Sequence, residues 1–208
     1  MLYEKKMKRG ILKFLLGDRF YDVNWDVDRN RRVEDTVFVV LDTETSDIKG
    51  TNLLSVGALK VVNLTLDLST AFHVTVKSTP TDHTGIKVHG ITPHDIRQGM
   101  KEEEVCDLFL AYAKGSVLVG YFLDLDIRAI NRALRRHKKP PFCPPSLDLL
   151  DLLPPSKKNI PLEELLLHYG LPVTQRHSAI EDAYMTALLF LVLMTKHRGK
   201  RLSQLPVS

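Results

Sequence analysis

VFVVLDTETS, residues 37–46, decides how the rest of the chain is read. Five apolar residues, Val37 to Leu41, have the length and β-branched content of a buried strand. The run ends on two carboxylates, Asp42 and Glu44, with only Thr43 between them. Residues two apart in an extended chain point to the same side, so both acids aim at one point. Like charges placed that close repel and raise each other's pKa unless a cation neutralises them. The plain alternative is a pair of turn residues facing water, and the choice rests on whether other acids converge on the same place.

The segments that follow supply a scaffold on which they could. NLLSVGALKVV (52–62) and LDLSTAFHVTVK (66–77) read as two more strands joined by a tight turn near Asn63 to Leu66, giving a three-stranded antiparallel meander. ITPHDI (91–96) opens a helix with Thr92 as N-cap and Pro93 in the first helical position. KEEEVCDLFLAYAKG (101–115) is a helix closed by Gly115, and SVLVGY (116–121) is a short buried strand. DLDIRAINRALRRH (124–137) has Ile127, Ile130 and Leu134 at helical spacing, and the prolines from Pro140 enforce its end. PPSLDLLDLL (144–153) holds one more short strand, PLEELLLHYG (161–170) a helix stopped by Gly170, and SAIEDAYMTALLFLVLMTKH (178–197) a long helix ending at Gly199. The order predicts an α/β domain: a mixed five-stranded sheet, meander plus two further strands, flanked by helices.

Residues 1–35 are charge-dense and lack a sustained period, so they are expected to form an appended segment before a domain at 36–198, with 199–208 as a tail. Within the segment Leu12, Leu15, Leu16 and Phe20 could form one helical stripe docked on the domain's own surface. The apolar fraction of 44% supports a globular core, and the net charge of +4 suits a polyanionic partner as well as an ordinary soluble protein. Cys106 and Cys143 form no CxxC and no Cys/His cluster, so neither a disulfide framework nor a structural zinc site is implied, and a reducing compartment is the default expectation. ILKFLL (11–16) is too short and too broken by Lys13 for a leader, and no run is long enough to cross a bilayer, so a cytoplasmic location without membrane contact is expected.

Two sources of further acids stand where strand meets helix or on a helix: Asp124 or Asp126 after LVGYF, and Asp182 on the last long helix. Asp124 and Asp126 offer the same chemistry two residues apart, and Asp124 could instead cap the helix. Carboxylate-rich oxygen sites suit Mg²⁺ or Mn²⁺ rather than zinc. His177, five residues before Asp182, can take a proton from a water nucleophile near neutral pH. Acids with one histidine describe a metal-assisted hydrolase, and phosphodiesters are the substrate class that paired divalent ions serve.

LDTET (41–45), LVGYFLDLDI (118–127) and HSAIEDA (177–183) stand in the order and spacing of the three motifs of the DEDDh 3′-to-5′ exonucleases, which this chain resembles over about residues 36–195. The likeness is closest to the exonuclease (epsilon) subunit of bacterial DNA polymerase III and its stand-alone relatives. VHGITPHDI (88–96) and LDLLDLL (147–153) match the connecting segments. The resemblance implies a ribonuclease H-like fold and a metal site of Asp42, Glu44, Asp126 and Asp182. It also implies His177 as general base and two Mg²⁺ or Mn²⁺ ions, about 3.5–4 Å apart in two-metal sites generally. Nucleoside 5′-monophosphates would leave from the 3′ end of DNA, single-stranded or frayed, with RNA or short oligonucleotides as alternative substrates and a polymerase or repair protein as partner.

Two departures stand out. YFLDLD (121–126) replaces the family's HNxxFD, so Tyr121 and Phe122 stand for the polar pair and Leu125 for the phenylalanine, and SDIKG (46–50) stands where TGLDP is common. The resemblance places Thr45 against the substrate's 3′ terminus; Tyr121 is a candidate to hydrogen-bond or stack on a base. The second-motif change leaves a competing expectation, a binding module that keeps the fold without turnover. Asp148 is expected to brace local structure. Arg128, Arg132, Arg135, Arg136, Lys138 and Lys139 read first as a solvated helix face and second as a phosphate track.

Overall fold

The computed structural model describes residues 2–47, 51–77, 91–174 and 178–208. Its centre is one five-stranded sheet in the order β3-β2-β1-β4-β5. β1 (Phe38–Thr45), β2 (Leu53–Val62) and β3 (Thr65–Thr75) are antiparallel neighbours, and β4 (Val117–Gly120) and β5 (Ser146–Asp148) run parallel to β1. The expected meander with two added strands is therefore the observed sheet. The β2–β3 connection turns on Asn63 and Leu64, both left-handed at φ 52°, as a two-residue hairpin turn compatible with strand twist requires.

β1 is central and buried on both sides, which accounts for its unbroken apolar run. Phe38 and Val40 face one core with Phe190, whose ring centroid lies 4.9 Å from that of Phe38. Val39 and Leu41 face the other core with Phe109, Ile130 and Leu134. Each such fully buried side chain contributes about 1.5–3 kcal/mol relative to exposure, so both layers are held to β1 by several anchors each.

The helices follow their sequence signals closely. α2 (Pro93–Gln98) starts with a reciprocal cap: the Thr92 hydroxyl accepts from the Asp95 N–H and the Asp95 carboxylate from the Thr92 N–H. α3 (Glu102–Ala113) and α4 (Asp124–Arg136) cover one face of the sheet. α5 (Leu162–His168) and α6 (Ala179–Met194) cover the other. The last helix is shorter than its apolar pattern suggests, because Thr195–His197 tighten into a 3₁₀ turn. Among the described residues no helix is long and apolar enough to cross a membrane.

The amino-terminal residues are tied to the body more by polar groups than by the expected leucine stripe. α1 (Leu2–Leu16) leads into a 3₁₀ turn over Gly17–Asp22. Phe20 is fully buried, but Leu15 is 70% exposed, so the four apolar residues do not share one buried face. Lys5, Arg9 and Lys13, one turn apart and hence on one side of the helix, make the attachment instead. Lys5 pairs with Asp124 at 3.0 Å, Lys13 with Asp26 at 2.8 Å, and Arg9 donates to the carbonyls of Trp25 and Cys143 and to Asp26. Trp25 enters the core, its indole N–H donating to the Ser116 carbonyl at 2.7 Å. Val33 donates its N–H to the Lys200 carbonyl at 2.9 Å and is fully buried in the Phe38 core. Arg29 donates to the carbonyls of Val207 and Ser208, each at 2.8 Å, and so ties the amino-terminal segment to residues of which Ser208 in turn donates its N–H to the Ser146 carbonyl of β5.

Candidate active site

The alternation along β1 continues past its apolar part and sorts the polar residues by face. Asp42 and Glu44 follow Phe38 and Val40 toward α6, whereas Thr43 follows Val39 and Leu41 toward α4. On the α6 side, Asp42, Glu44 and Asp182 each present a carboxylate oxygen, and all three lie within 4.8 Å of one another. Asp182 is in the first turn of α6, where the positive end of the helix favours a negative side chain.

Gly57 is what lets α6 come so close. It pairs with Asp42 across the β1–β2 ladder. A Cβ at Gly57 would lie 2.1 Å from the Ala179 carbonyl carbon and 2.3 Å from the Ile180 nitrogen. The backbone at the start of α6 therefore rests directly on the backbone of β2, three residues before Asp182. Glycine inside a strand is the usual mark of such an approach.

On the α4 side, Asp126 is buried and its Oδ1 accepts two bonds from one residue, the Thr43 N–H at 2.9 Å and the Thr43 hydroxyl at 2.7 Å. Asp124, the rival in sequence, turns outward to Lys5. Thr43 thus links the acid on α4 to the strand that carries the other two, a role its position as spacer does not announce.

Among the described residues the electrostatics are dominated by burial and by like charges facing one another. Burial pushes the Asp42 carboxyl well above the ordinary carboxylate range, and repulsion from Asp126, Asp182 and Glu44 adds to it. Burial likewise drives Asp126 up to about 7, against the lowering effect of its Thr43 hydrogen bonds and with further repulsion from Asp148. The Ser55 hydroxyl, opposite Glu44 in the ladder, is buried without a hydrogen-bond partner among the described residues. An all-carboxylate oxygen set, mutually repelling and beside an orphaned hydroxyl, fits a hard divalent cation of the Mg²⁺ or Mn²⁺ class.

Other candidates from the sequence occupy definite places. The Thr45 hydroxyl donates to Asp47 O at 2.8 Å, beyond a register shift in β1 between Glu44 and Thr45. The Tyr121 hydroxyl donates to Ile160 O, and its ring packs against Phe122 with centroids 4.9 Å apart. Phe122 itself is left-handed, φ 56°, and 42% exposed at the sheet's carboxyl end. Asp148 accepts from the Leu150 N–H at 3.0 Å and so caps the turn after β5. His177 lies outside the described residues. Two residues escape the sequence reading, Thr43 and Gly57; strand alternation points to the first, and a glycine amid apolar strand residues to the second.

The exonuclease family model (RNase T type) matches residues 39–190. Among curated proteins, the chain is 31% identical over 171 residues to the DNA polymerase III subunit epsilon of Buchnera aphidicola, covering 74% of this chain and 71% of the relative. It is 27% identical over 172 residues to the subunit epsilon of Aquifex aeolicus, covering 77% and 81%. A zinc-bound complex of E. coli exonuclease I with single-stranded DNA superposes with a TM-score of 0.67 at 18% identity, over 78% of this chain. That likeness concerns the ribonuclease H-like fold, and this chain spans about two fifths, 41%, of the exonuclease I chain.

Proposed function

Because this chain belongs to the exonuclease family, we propose that it hydrolyses the terminal phosphodiester at the 3′ end of DNA, single-stranded or frayed, releasing nucleoside 5′-monophosphates. The observation that carries this reading is the convergence of Asp42, Glu44 and Asp182 within 4.8 Å at the end of β1, inside the residues the family model matches. Residues 36–198 form the proposed domain, with 1–35 and 199–208 as extensions whose Trp25, Val33, Leu202 and Val207 pack into its cores.

In this reading Asp42, Glu44, Asp126 and Asp182 hold two divalent ions. Bound there, the ions supply the Lewis acidity that lowers the pKa of water and offsets charge developing on the phosphoryl oxygens. The chain's own residues do the rest. Thr43 fixes Asp126 through two hydrogen bonds, so that this carboxylate keeps one orientation. His177 accepts the proton of the attacking water as general base. Thr45 and Tyr121 lie at the substrate's end of the site, Tyr121 positioning the loop at Ile160 through its hydroxyl. The likeness to epsilon subunits makes a polymerase the partner class to test.

The experiment is incubation of 3′-labelled single-stranded DNA and RNA with the purified chain and Mg²⁺ or Mn²⁺, beside an Asp182→Ala control. Release of monophosphate from DNA that vanishes in the control is the expected result. Release that survives the substitution removes the proposed site. Binding without release, from either substrate with either metal, selects the second reading, a binding module without turnover. The observation behind that reading is that Tyr121 and Phe122 replace the polar pair and that the Tyr121 hydroxyl is already engaged.

A further inference from the structure

Along α4 the chain changes from acid to base. Asp126 sits near the start of the helix, while Arg132, Arg135 and Arg136 gather at its far end around an open cleft of about 550 Å³, with Thr51 on the opposite wall. Thr51 belongs to the loop that leaves β1 immediately after the acids, and this loop is pinned at its neck by Ser46 N–H to Asn52 O at 3.0 Å. The cleft therefore adjoins the segment that follows Glu44 and Thr45.

The three guanidinium groups are unequally spent. Arg136 is held by Glu102, its Nε donating at 2.9 Å, and its Nη1 donates to the Thr51 carbonyl at 3.0 Å. His137 shares the same glutamate at 3.0 Å. The loop's own carboxylate, Asp47, accepts from the Thr51 N–H at 3.1 Å. Among the described residues Arg135 is exposed with no ion pair, and Arg132 buries its Nη1 with no hydrogen-bond partner. A buried unpaired N–H on a charged group is costly unless a ligand completes it. A cleft of guanidinium donors is built for phosphate or carboxylate oxygens.

Spacing chooses between them. At 1.5 Å per residue, Arg132 lies about 9 Å and Arg135 about 14 Å along the helix from Asp126. A stacked strand advances about 3.4 Å per nucleotide, so these rises set the cleft at least about three to four phosphates from the bond being cleaved. We propose that Arg132 and Arg135, steadied by Arg136 and Thr51, form a phosphate-binding subsite for the upstream backbone of the single strand whose 3′ end occupies the carboxylates. The proposal rests on the exonuclease reading above for the placement of that end. It makes α4 a ruler: acids at one end hold the reacting terminus, and arginines at the other hold the strand behind it.

The test measures binding without cleavage. Full-length protein in EDTA is titrated by fluorescence anisotropy with 5′-fluorescein single-stranded DNA of three and of twelve nucleotides, across a salt series. The Arg132→Gln/Arg135→Gln double variant should bind the twelve-mer about tenfold more weakly. Its log–log salt slope should be shallower by about 1.4, since each single-strand phosphate contact contributes about 0.7. The trimer, too short to reach the cleft, should bind both proteins alike. Arg135→Gln alone changes an exposed side chain, carries no folding risk, and should give about half the change in slope. Unchanged affinity and slope for the twelve-mer, equal losses for trimer and twelve-mer, or no binding of the twelve-mer by the unaltered protein would overturn the subsite; the first result would favour an acidic protein partner for these arginines. Release of monophosphate on adding Mn²⁺ is read separately. Arginine-dependent binding without release sinks the catalytic reading and keeps the subsite, whereas release with arginine-independent binding does the reverse.

Discussion

Two charged regions of this molecule, the carboxylate cluster at the end of β1 and the collar that fastens α1, are built in opposite ways. In the cluster, acids face acids, and burial with mutual repulsion raises Asp42 and Asp126 above their ordinary range. In the collar, burial would raise Asp26 too, but hydrogen bonds from Lys13, Arg9 and Tyr21 outweigh it and hold that carboxyl far below its usual value. The collar is complete in itself. In the cluster like charges crowd together instead, and that crowding is the physical sign that something cationic belongs there. Opposite charges fasten an element; crowded charges of one sign advertise a ligand.

The largest test of this contrast is steric. Gly57→Ala places a methyl group 2.1 Å from the Ala179 carbonyl carbon, and backbone on both sides leaves no flexible group to yield. Overpacking of that kind costs about 1–3 kcal/mol or more, and here it moves Asp182 off Asp42. Nuclease turnover should fall at least a hundredfold, while thermal unfolding shows a loss of several degrees; wild-type turnover in a folded variant would mean that α6 approaches β2 differently.

Metal removal should expose the two pH behaviours. Asp42 and Asp126 bind their protons more tightly when folded than when unfolded, so between about pH 4, the ordinary aspartate value, and the folded value near 7 the native state holds the extra proton. Stability of EDTA-treated protein should therefore fall as pH rises across that window. Saturating Mn²⁺ should remove the decline and raise the melting temperature at pH 8. A flat melting temperature in EDTA from pH 5 to 8 would show that the acids are not in mutual contact.

Thr43→Val is the next smaller perturbation. It keeps the strand shape but deletes the hydroxyl bond to Asp126, leaving only the bond from the backbone N–H. Hydrogen bonds to charged groups contribute about 1.5–3 kcal/mol, so turnover should drop roughly tenfold to a hundredfold. A loss of Mn²⁺ affinity by calorimetry should accompany it. Thr43→Ser, which restores the donor, should recover most of both.

The smallest effect belongs to the collar. Asp26 is half exposed, and surface pairs are weak, so Asp26→Asn should cost no more than about 1 kcal/mol. Because the folded carboxyl is depressed, its contribution is fully present above the ordinary aspartate value and disappears as pH falls through the depressed one. Fluorescence of Trp25, the single tryptophan, should report loosening of α1 only at strongly acid pH in the native chain. In Asp26→Asn that acid transition should be absent.

What the sequence discloses, and what it hides, divides along the same lines. The sheet is legible because each strand carries its own signal: the apolar run of β1, the turn at Asn63, and the Thr92 cap that opens α2. The acids are legible as spacings, two residues apart in LDTET and five after the histidine in HSAIEDA. Contacts made across long stretches of chain are not. Gly57 meets Ala179, and Thr43 meets Asp126, through packing that no local pattern specifies. Leu15 misleads for the converse reason: an apolar period predicts a buried stripe, yet Lys5, Arg9 and Lys13 find better partners and turn α1 so that this leucine faces water.

The alternation of β1 also bears on how the chain finds its register. Moving the strand by one residue would exchange its faces. Asp42 and Glu44 would then press into the core of Phe109 and Leu134, and Thr43 would stand among the acids with no carboxylate to hold. The slipped arrangement would bury two charges in hydrocarbon and strand Asp126. A chemistry that needs alternating acids and hydroxyl thus doubles as an error check on folding, since a strand assembled out of register is rejected by the same residues that would have done the work.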